Sequence, residues 1–270
     1  MHPEIIEFFR REGIEYYSLI SYSDVKETKK YIIDREPFSP RSVIIFLLPY
    51  YAGETVNISR YAASLDYHII IKDITDRLLT LLKTIYKGAM AKGYGDHSPI
   101  DERDAALSAG LGILGKNGLL INEKYGSYIF IADVVTDIPE EIIGTSPKLE
   151  HKTCEGCGIC FSACPTGILS GRGENCLSQI TQKKGDLTES ECALMRKFNT
   201  VWGCDECQKY CPYNKEPQIT PIEFFKKDRI EELTDEILDS LSDEEFGRRA
   251  FAWRKRETVK RNLSVMKENK

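Results

Sequence analysis

"CEGCGICFSACP" occupies residues 154–165 and places four cysteines within eleven residues, with a proline directly after the last. Two-residue gaps separate Cys154, Cys157 and Cys160, and three residues lead on to Cys164. Gly156 and Gly158 supply the backbone freedom that a loop needs to turn tightly around a bound group. The stretch reads as a ligand set. What it serves depends on whether the rest of the chain is more than a scaffold for it.

The pattern C-x2-C-x2-C-x3-C-P is the spacing of bacterial two-cluster ferredoxins, in which three thiolates hold one cubane and the fourth crosses to the other. A second set follows in Cys204, Cys207 and Cys211, the last again before a proline, with Cys176 alone upstream. By pseudo-symmetry Cys176 takes the first-ligand role. One 4Fe-4S cluster is then expected on Cys154, Cys157, Cys160 and Cys211, and a second on Cys164, Cys176, Cys204 and Cys207. Cys192, in "SECALMRKF", is left over and reads as a small buried hydrophobe. Two zinc sites would accept the same eight thiolates. Zinc leaves both Cys-Pro endings and the third cysteine of the first run unexplained.

Outside the cysteines, 270 residues suit one large domain with a smaller one appended. The formal net charge of −5 gives no basis for broad nucleic-acid binding. The tail "FGRRAFAWRKRETVKRNLSVMKENK" is basic, which suits either RNA or a solvated helix face. The apolar run "SVIIFLLPYY" is too short to span a bilayer, and "MHPEIIEFFRREGIEYY" lacks the features of a secretion signal. A cytoplasmic protein with reduced, metal-ligating cysteines is expected, with no membrane partner.

Periodicity predicts helices over 4–14 and 26–33, strands over 15–22 and 42–48, and one long helix from 60 to a stop at Gly93. A shorter helix is expected over 101–109. Two β-branched runs, 118–121 and 127–136, flank a hairpin candidate in "EKYG". The polar stretch 144–153 reads as a boundary, and two helices are expected over about 221–243 and 244–267.

Three stretches change the functional reading: "RYAASLDYH" (60–68), "YGDHSPIDERDAALSAGLGILGKNGLLIN" (94–122) and "GSYIFIADVVTD" (126–137). With the cysteine pattern, they closely resemble the epoxyqueuosine reductase family over about residues 40–262. The family pattern runs "RYxxGxDYH", "DxxPxxERxxAxxAGLGxxGKNxxLI", "GSxxFLGExxTD" and then the two cysteine sets. The resemblance implies an α+β fold: a nitroreductase-like cobalamin-binding domain (1–145), a ferredoxin-like two-cluster domain (146–218) and a C-terminal helical segment (219–270). It implies an enzyme that uses cobalamin and two 4Fe-4S clusters, fed by an external electron donor, to reduce epoxyqueuosine to queuosine in the tRNA anticodon loop.

By the same resemblance, Asp96 matches the family's proton donor, a role open to a carboxyl desolvated beside an apolar macrocycle. On residue chemistry alone, Asp96, Ser98 and Pro99 also suit a helix start. Lys116, Asn117, Leu120 and Asn122 fall where the family's corrin-binding loop and strand lie, and Ala63 falls in the matching "YAASLDYH". Ser178 and Lys184 belong to "CLSQITQKKG", which resembles the family's "CISYLTIE". The family's cobalamin needs no protein histidine, so His68 reads as structural.

The chain departs from the pattern where "IIDREPFSPRSVI" lacks the family's "GYHGEMxYM"-like segment, and the helical repeats that help other members grip tRNA are not expected before Lys270. Two alternatives therefore stand beside the tRNA reading: a cobalamin-dependent reductase of a small molecule, and a two-cluster electron-transfer protein.

Overall fold

The structure, a computed structural model, describes residues 1–267. It divides into two compact units: Met1–Pro49 with His68–Gly156, and Tyr50–Tyr67 with the residues from Cys157 onward. This partition differs from consecutive segments at 1–145, 146–218 and 219–270. Residues 50–67 join the cysteine-bearing unit, and the C-terminal helices belong to that unit as well. The final three residues of the expected C-terminal segment lie outside the described residues.

Among the described residues, the first unit holds strands β1 (Tyr17–Ser21), β2 (Ser42–Pro49), β3 (Ala91–Gly95), β4 (Ile113–Leu114), β5 (Leu120–Ile121) and β6 (Ile129–Thr136). Four of them form an antiparallel sheet in the order β1-β2-β6-β3. Every residue of β2 is buried, as a continuous apolar run without alternation requires of a strand covered on both faces. On one face Val43, Ile45 and Leu47 share a core with Ala105, Ala106 and Leu107 of helix Glu102–Ser108. On the other, Phe46 meets Phe9 of helix Pro3–Arg11, their ring centroids 5.4 Å apart.

The long helix expected over 60–93 is broken. Arg60–Ala62 is a 3-10 turn, and helix starts again only at Tyr67, running to Ile85. Between them the Asp66 N–H donates to the Arg248 carbonyl at 2.8 Å, and Leu65 bridges Arg249. That pairing takes backbone groups which a continuous helix would need. Gly93 is no helix stop. It lies inside β3, where an added Cβ would stand 2.4 Å from Thr75 Cβ, so only glycine lets the Tyr67–Ile85 helix lie directly on the strand. The "EKYG" turn forms where expected, with Asn122 and Gly126 exchanging backbone hydrogen bonds of 2.8 and 3.0 Å. Its strand β5 pairs with β4 rather than β6.

The second unit, among the described residues, is built from short helices and 3-10 turns around Trp202, Leu233, Leu238, Phe251 and Val259. The two long C-terminal helices expected from sequence become Asp235–Ser240, Asp243–Gly247 and Lys255–Lys267 after a 3-10 turn at Glu223–Lys226. Thr234 and Ser242 each accept an N–H from the third residue of the helix that follows, and these caps restart the chain direction. Cys192 packs with Leu177, Ile180, Met195 and Val265, the hydrophobic role its sequence context suggested. Among the described residues, no helix is long and apolar enough to cross a membrane.

Candidate functional site

The second unit gathers thiols. Gly158, with φ 78°, turns the chain into helix Ile159–Ala163, which ends at extended Cys164 before Pro165. That helix packs against helix Glu206–Lys209, bringing the first cysteine run to the second. The Cys207 thiol is pushed up to about 12, first by burial and then by Cys176, Asp205, Cys164 and Cys160 around it. Cys204 is raised for the same reasons: burial, then Cys176, Asp205 and Cys207. Burial also opposes ionisation of Cys164, but the N–H groups of Leu169, Thr166 and Gly167 and the Thr166 hydroxyl bring its thiol below the ordinary value. Crowded, desolvated thiols such as Cys204 and Cys207 are the kind that a bound cationic centre turns into thiolates. Among the described residues, no three His, Cys, Asp or Glu side chains converge as ligands of one metal ion do. Thiolates around a four-iron cube stand farther apart than that.

The second cysteine set is tied to the "SRYAAS" segment. The Ser59 N–H donates to the Trp202 carbonyl at 2.7 Å, and Gly203, at φ 75°, comes so close that a Cβ there would lie 2.4 Å from Ser59 Cβ. Asp205 accepts the Arg60 N–H at 2.7 Å and Arg60 Nη1 at 3.2 Å, together with the Ser59 hydroxyl. From the C-terminal helix, Asn262 Nδ2 donates to the carbonyls of Thr181 and Val201 at 2.7 and 2.8 Å. Arg261 donates to the Lys183 carbonyl at 2.7 Å. Part of the basic tail therefore faces inward and clamps the segment between Cys176 and Cys204.

In the first unit the "GDHSP" stretch forms the loop between β3 and helix Glu102–Ser108. The N-cap of that helix is Asp101, whose side chain accepts the Asp104 N–H at 3.1 Å. Asp96 stands apart from the helix start, in a left-handed turn with φ 70°, its carboxylate exposed. Its N–H donates to Glu102 Oε1 at 2.8 Å, and its carboxylate lies 3.9 Å from His68 Nε2. His68 is half-exposed at the acid rather than packed in a core. Ser98 is buried and donates to Asp133 Oδ2 at 3.1 Å. Glu102 is pushed up to about 7, chiefly by burial and also by the charges of Asp96 and Asp101, against the Asp96 N–H and Lys29. Asp133, fully buried in β6, is raised well above the carboxylate range by desolvation and by Glu102.

The glycine-rich turn before β5 meets the first cysteine. Lys116 is exposed and its N–H donates to Cys154 Sγ at 3.3 Å, while Gly156, at φ 74°, passes so near that a Cβ would stand 2.8 Å from Lys116 Nζ. Asn117 Oδ1 accepts the Leu119 N–H, and its Nδ2 is buried without a hydrogen-bond partner among the described residues. The other residues singled out from sequence are placed differently. Leu120 lies in the core with Val43 and Ile45, and Asn122 is occupied by the Leu111 carbonyl and the N–H groups of Lys124 and Tyr125. Ala63 lies in the core of the second unit. Ser178 accepts from Gln182 Nε2 at 3.0 Å, and Lys184 is exposed.

Comparison with known proteins follows the same lines. Residues 153–214 match the 4Fe-4S double cluster binding domain family. An epoxyqueuosine reductase of Leadbetterella byssophila is 34% identical over 247 residues, covering 84% of this chain and 78% of the relative. The chain belongs to the epoxyqueuosine reductase family. A second member, from Cyclobacterium marinum, is 33% identical and covers 84% of this chain and 76% of its own length. A crystal structure of an epoxyqueuosine reductase with an epoxyqueuosine-modified tRNA stem loop matches with a TM-score of 0.77. It is 24% identical and covers 97% of this chain and 80% of that one, a likeness of fold.

In this epoxyqueuosine reductase family member, sequence reading missed Glu102 and Asp133. Each left a trace. Asp133 interrupts the apolar strand "IFIADVV", where a buried carboxylate needs an explanation, and Glu102 sits in an acid-rich "DERD" that reads as an ordinary helix start.

Proposed function

We propose that this chain is a cobalamin-dependent iron–sulfur reductase that converts epoxyqueuosine to queuosine in the anticodon loop of tRNA. The observation that carries this reading is the 34% identity to an epoxyqueuosine reductase along 84% of the chain, joined to the double-cluster match over residues 153–214. One cluster would be held by Cys154, Cys157, Cys160 and Cys211, the other by Cys164, Cys176, Cys204 and Cys207. The gathered, mutually repelling thiols suit that role.

For cobalamin the fit is tested by the donor set. Asn117 Nδ2 is a buried donor without a partner among the described residues, which suits a ligand whose rim carries amide carbonyls. Lys116 and Asn117 would hold that rim, with Leu120 and Asn122 fixing the turn from their packed positions; Ala63, Ser178 and Lys184 are secondary candidates. Cobalamin, when bound, supplies a low-valent cobalt that drives two-electron cleavage of the epoxide carbon–oxygen bonds. The chain's own contribution is to deliver electrons singly through cysteine-bound clusters and to present Asp96 as the proton source. The Lys116 N–H on Cys154 Sγ supports an electronic connection, because amide hydrogen bonds to cluster sulfurs tune their potential. An external low-potential donor in the cytoplasm would supply the electrons.

The test is made in cells lacking their own epoxyqueuosine reductase. Expression of this chain should replace epoxyqueuosine by queuosine in digested tRNA. Unchanged epoxyqueuosine, with both clusters and cobalamin fully loaded in the purified protein, would transfer the activity to a small-molecule substrate.

A further inference from the structure

Asp96 lies in the left-handed backbone region, which aspartate tolerates better than most side chains, and its position is tied down by a bond from its own N–H. One contact is the Asp96 N–H to Glu102 Oε1, at 2.8 Å. Glu102 is the first residue of a helix whose next turns are anchored by buried Ala105, Ala106 and Leu107, with Asp101 capping its start. The backbone that carries the acceptor is therefore fixed by the helix.

Behind Glu102 lies a seam of acids. Asp133 projects from β6, one oxygen accepting from Ser98 and the other without a hydrogen-bond partner among the described residues. The Tyr94 hydroxyl of β3, close enough to Asp133 for its ionisation to be opposed, is likewise buried without a partner among them. Tyr22 is raised in turn by burial, by its bond to Glu27, and by Tyr94 and Asp133. Glu102 is thus faced by Asp96 and Asp101 from its own loop and helix start, by Asp133 from the sheet, and by Lys29 as the opposing cation. Lys29 Nζ in turn lies 3.4 Å from His97 Nδ1.

Resting on the reductase reading, the chemistry makes a specific demand on this loop. Converting an epoxide to an alkene breaks both carbon–oxygen bonds, forms the carbon–carbon double bond, and consumes two electrons and two protons as the oxygen leaves as water. The electrons come from the external donor through the clusters. One carboxyl carries one proton, so Asp96 must take up a fresh proton within each turnover while its loop keeps the carboxyl in place.

We propose that Glu102 is the positioning residue for Asp96, gripping the Asp96 amide through its ionised carboxylate and loosening the loop when it takes up a proton. An ionised acceptor makes the stronger bond to an amide N–H, and a neutral carboxyl the weaker one. Burial, with Asp96 and Asp101 beside it, places the exchange between these states near neutral pH, about 7, where the loop can respond. Asp133, whose ionisation burial and Glu102 both oppose, stands behind Glu102 in the sheet.

The inference is tested on the cluster-loaded protein with selectively labelled aspartate, following the Asp96 amide proton by NMR from pH 5.5 to 8.5. Its shift should titrate with a midpoint near 7, and the titration should vanish in Glu102→Gln, which keeps an oxygen acceptor but cannot ionise. An amide that does not titrate, or that titrates unchanged in the glutamine variant, overturns the proposal, and neither result requires turnover. With epoxyqueuosine tRNA, kcat should rise through pH 7 in the wild type and lie flat and several-fold lower in Glu102→Gln, with KM unchanged. A wild-type pH profile in that variant overturns the positioning role. A wild-type protein without activity on epoxyqueuosine overturns the proposed function, and the amide titration still decides the inference.

Discussion

Asp205, next to Cys204, accepts the Arg60 N–H at 2.7 Å and lies 3.2 Å from Arg60 Nη1, with both side chains buried. Through this pair the "SRYAAS" motif, far away in sequence, becomes part of the wall behind Cys204 and Cys207. Arg60 keeps Glu54 as a second carboxylate partner, so the main loss on removing Asp205 is the buried Arg60 N–H left without its acceptor, about 1–3 kcal/mol. Asp205→Ala should lose roughly that much stability in denaturant unfolding and assemble its clusters poorly. A loss below about 1 kcal/mol would show that the pair is not what joins the two segments.

Asn262 makes an analogous clamp from the C-terminal helix. Asn262→Leu would take its donor from the buried Val201 carbonyl and leave Thr181 only the longer bond from Arg261 Nη2, at 3.5 Å. At about 1–3 kcal/mol for a buried acceptor left unpaired, the expected destabilisation is of that order. Denaturant unfolding monitored by tryptophan fluorescence checks it, since Trp202 lies in the adjoining core.

The double-cluster region, the buried central strand and the place of the Asp96 stretch were legible in the sequence, because each depends on local spacing or composition. The sequence did not reveal that 50–67 leaves the first unit, since nothing local marks the bond from Asp205 to Arg60. The long-helix expectation failed at Leu65 and Asp66, whose backbone pairs with Arg249 and Arg248 more than 180 residues away. In sequence Gly93 looks like a helix stop, since glycine commonly ends helices. Its reason for being glycine is the Thr75 side chain packed against it, a contact no window of sequence contains. His68 and Glu102 gain their meaning only when the loop folds back to place Asp96 beside both.

The ligand division predicts a simple contrast. Cys164→Ala or Cys176→Ala should lower bound iron by about half while leaving the other cluster's absorption and EPR signals in place. Cys192→Ala should retain full iron, because that thiol packs among Leu177, Ile180 and Met195. Iron loss in the Cys192 variant equal to that in the other two would break the assignment.

Asp133 and Glu102 give a pH signature. Both acids are raised in the folded state, so the native protein holds their protons more tightly than the unfolded chain does. Their stabilisation is full below the ordinary carboxylate range and is lost as pH rises, for Glu102 through about 7. Unfolding free energy should therefore fall between pH 5 and pH 8. Asp133→Asn, unable to ionise in the same place, should flatten that slope; a slope identical to the wild type would remove Asp133 as its source.

The central claim is that this chain removes the epoxide oxygen of epoxyqueuosine with Asp96 as the proton source. The most direct measurement incubates anaerobic, cluster- and cobalamin-loaded protein with epoxyqueuosine tRNA and a low-potential reductant, then weighs the released nucleosides by mass spectrometry. The wild type should yield a product lighter by one oxygen atom, and Asp96→Asn should bind both cofactors normally yet lower the rate by about 10²–10⁴-fold, the usual contribution of a positioned acid. Wild-type conversion by the Asp96 variant, or no loss of oxygen with fully loaded wild-type protein, would contradict it.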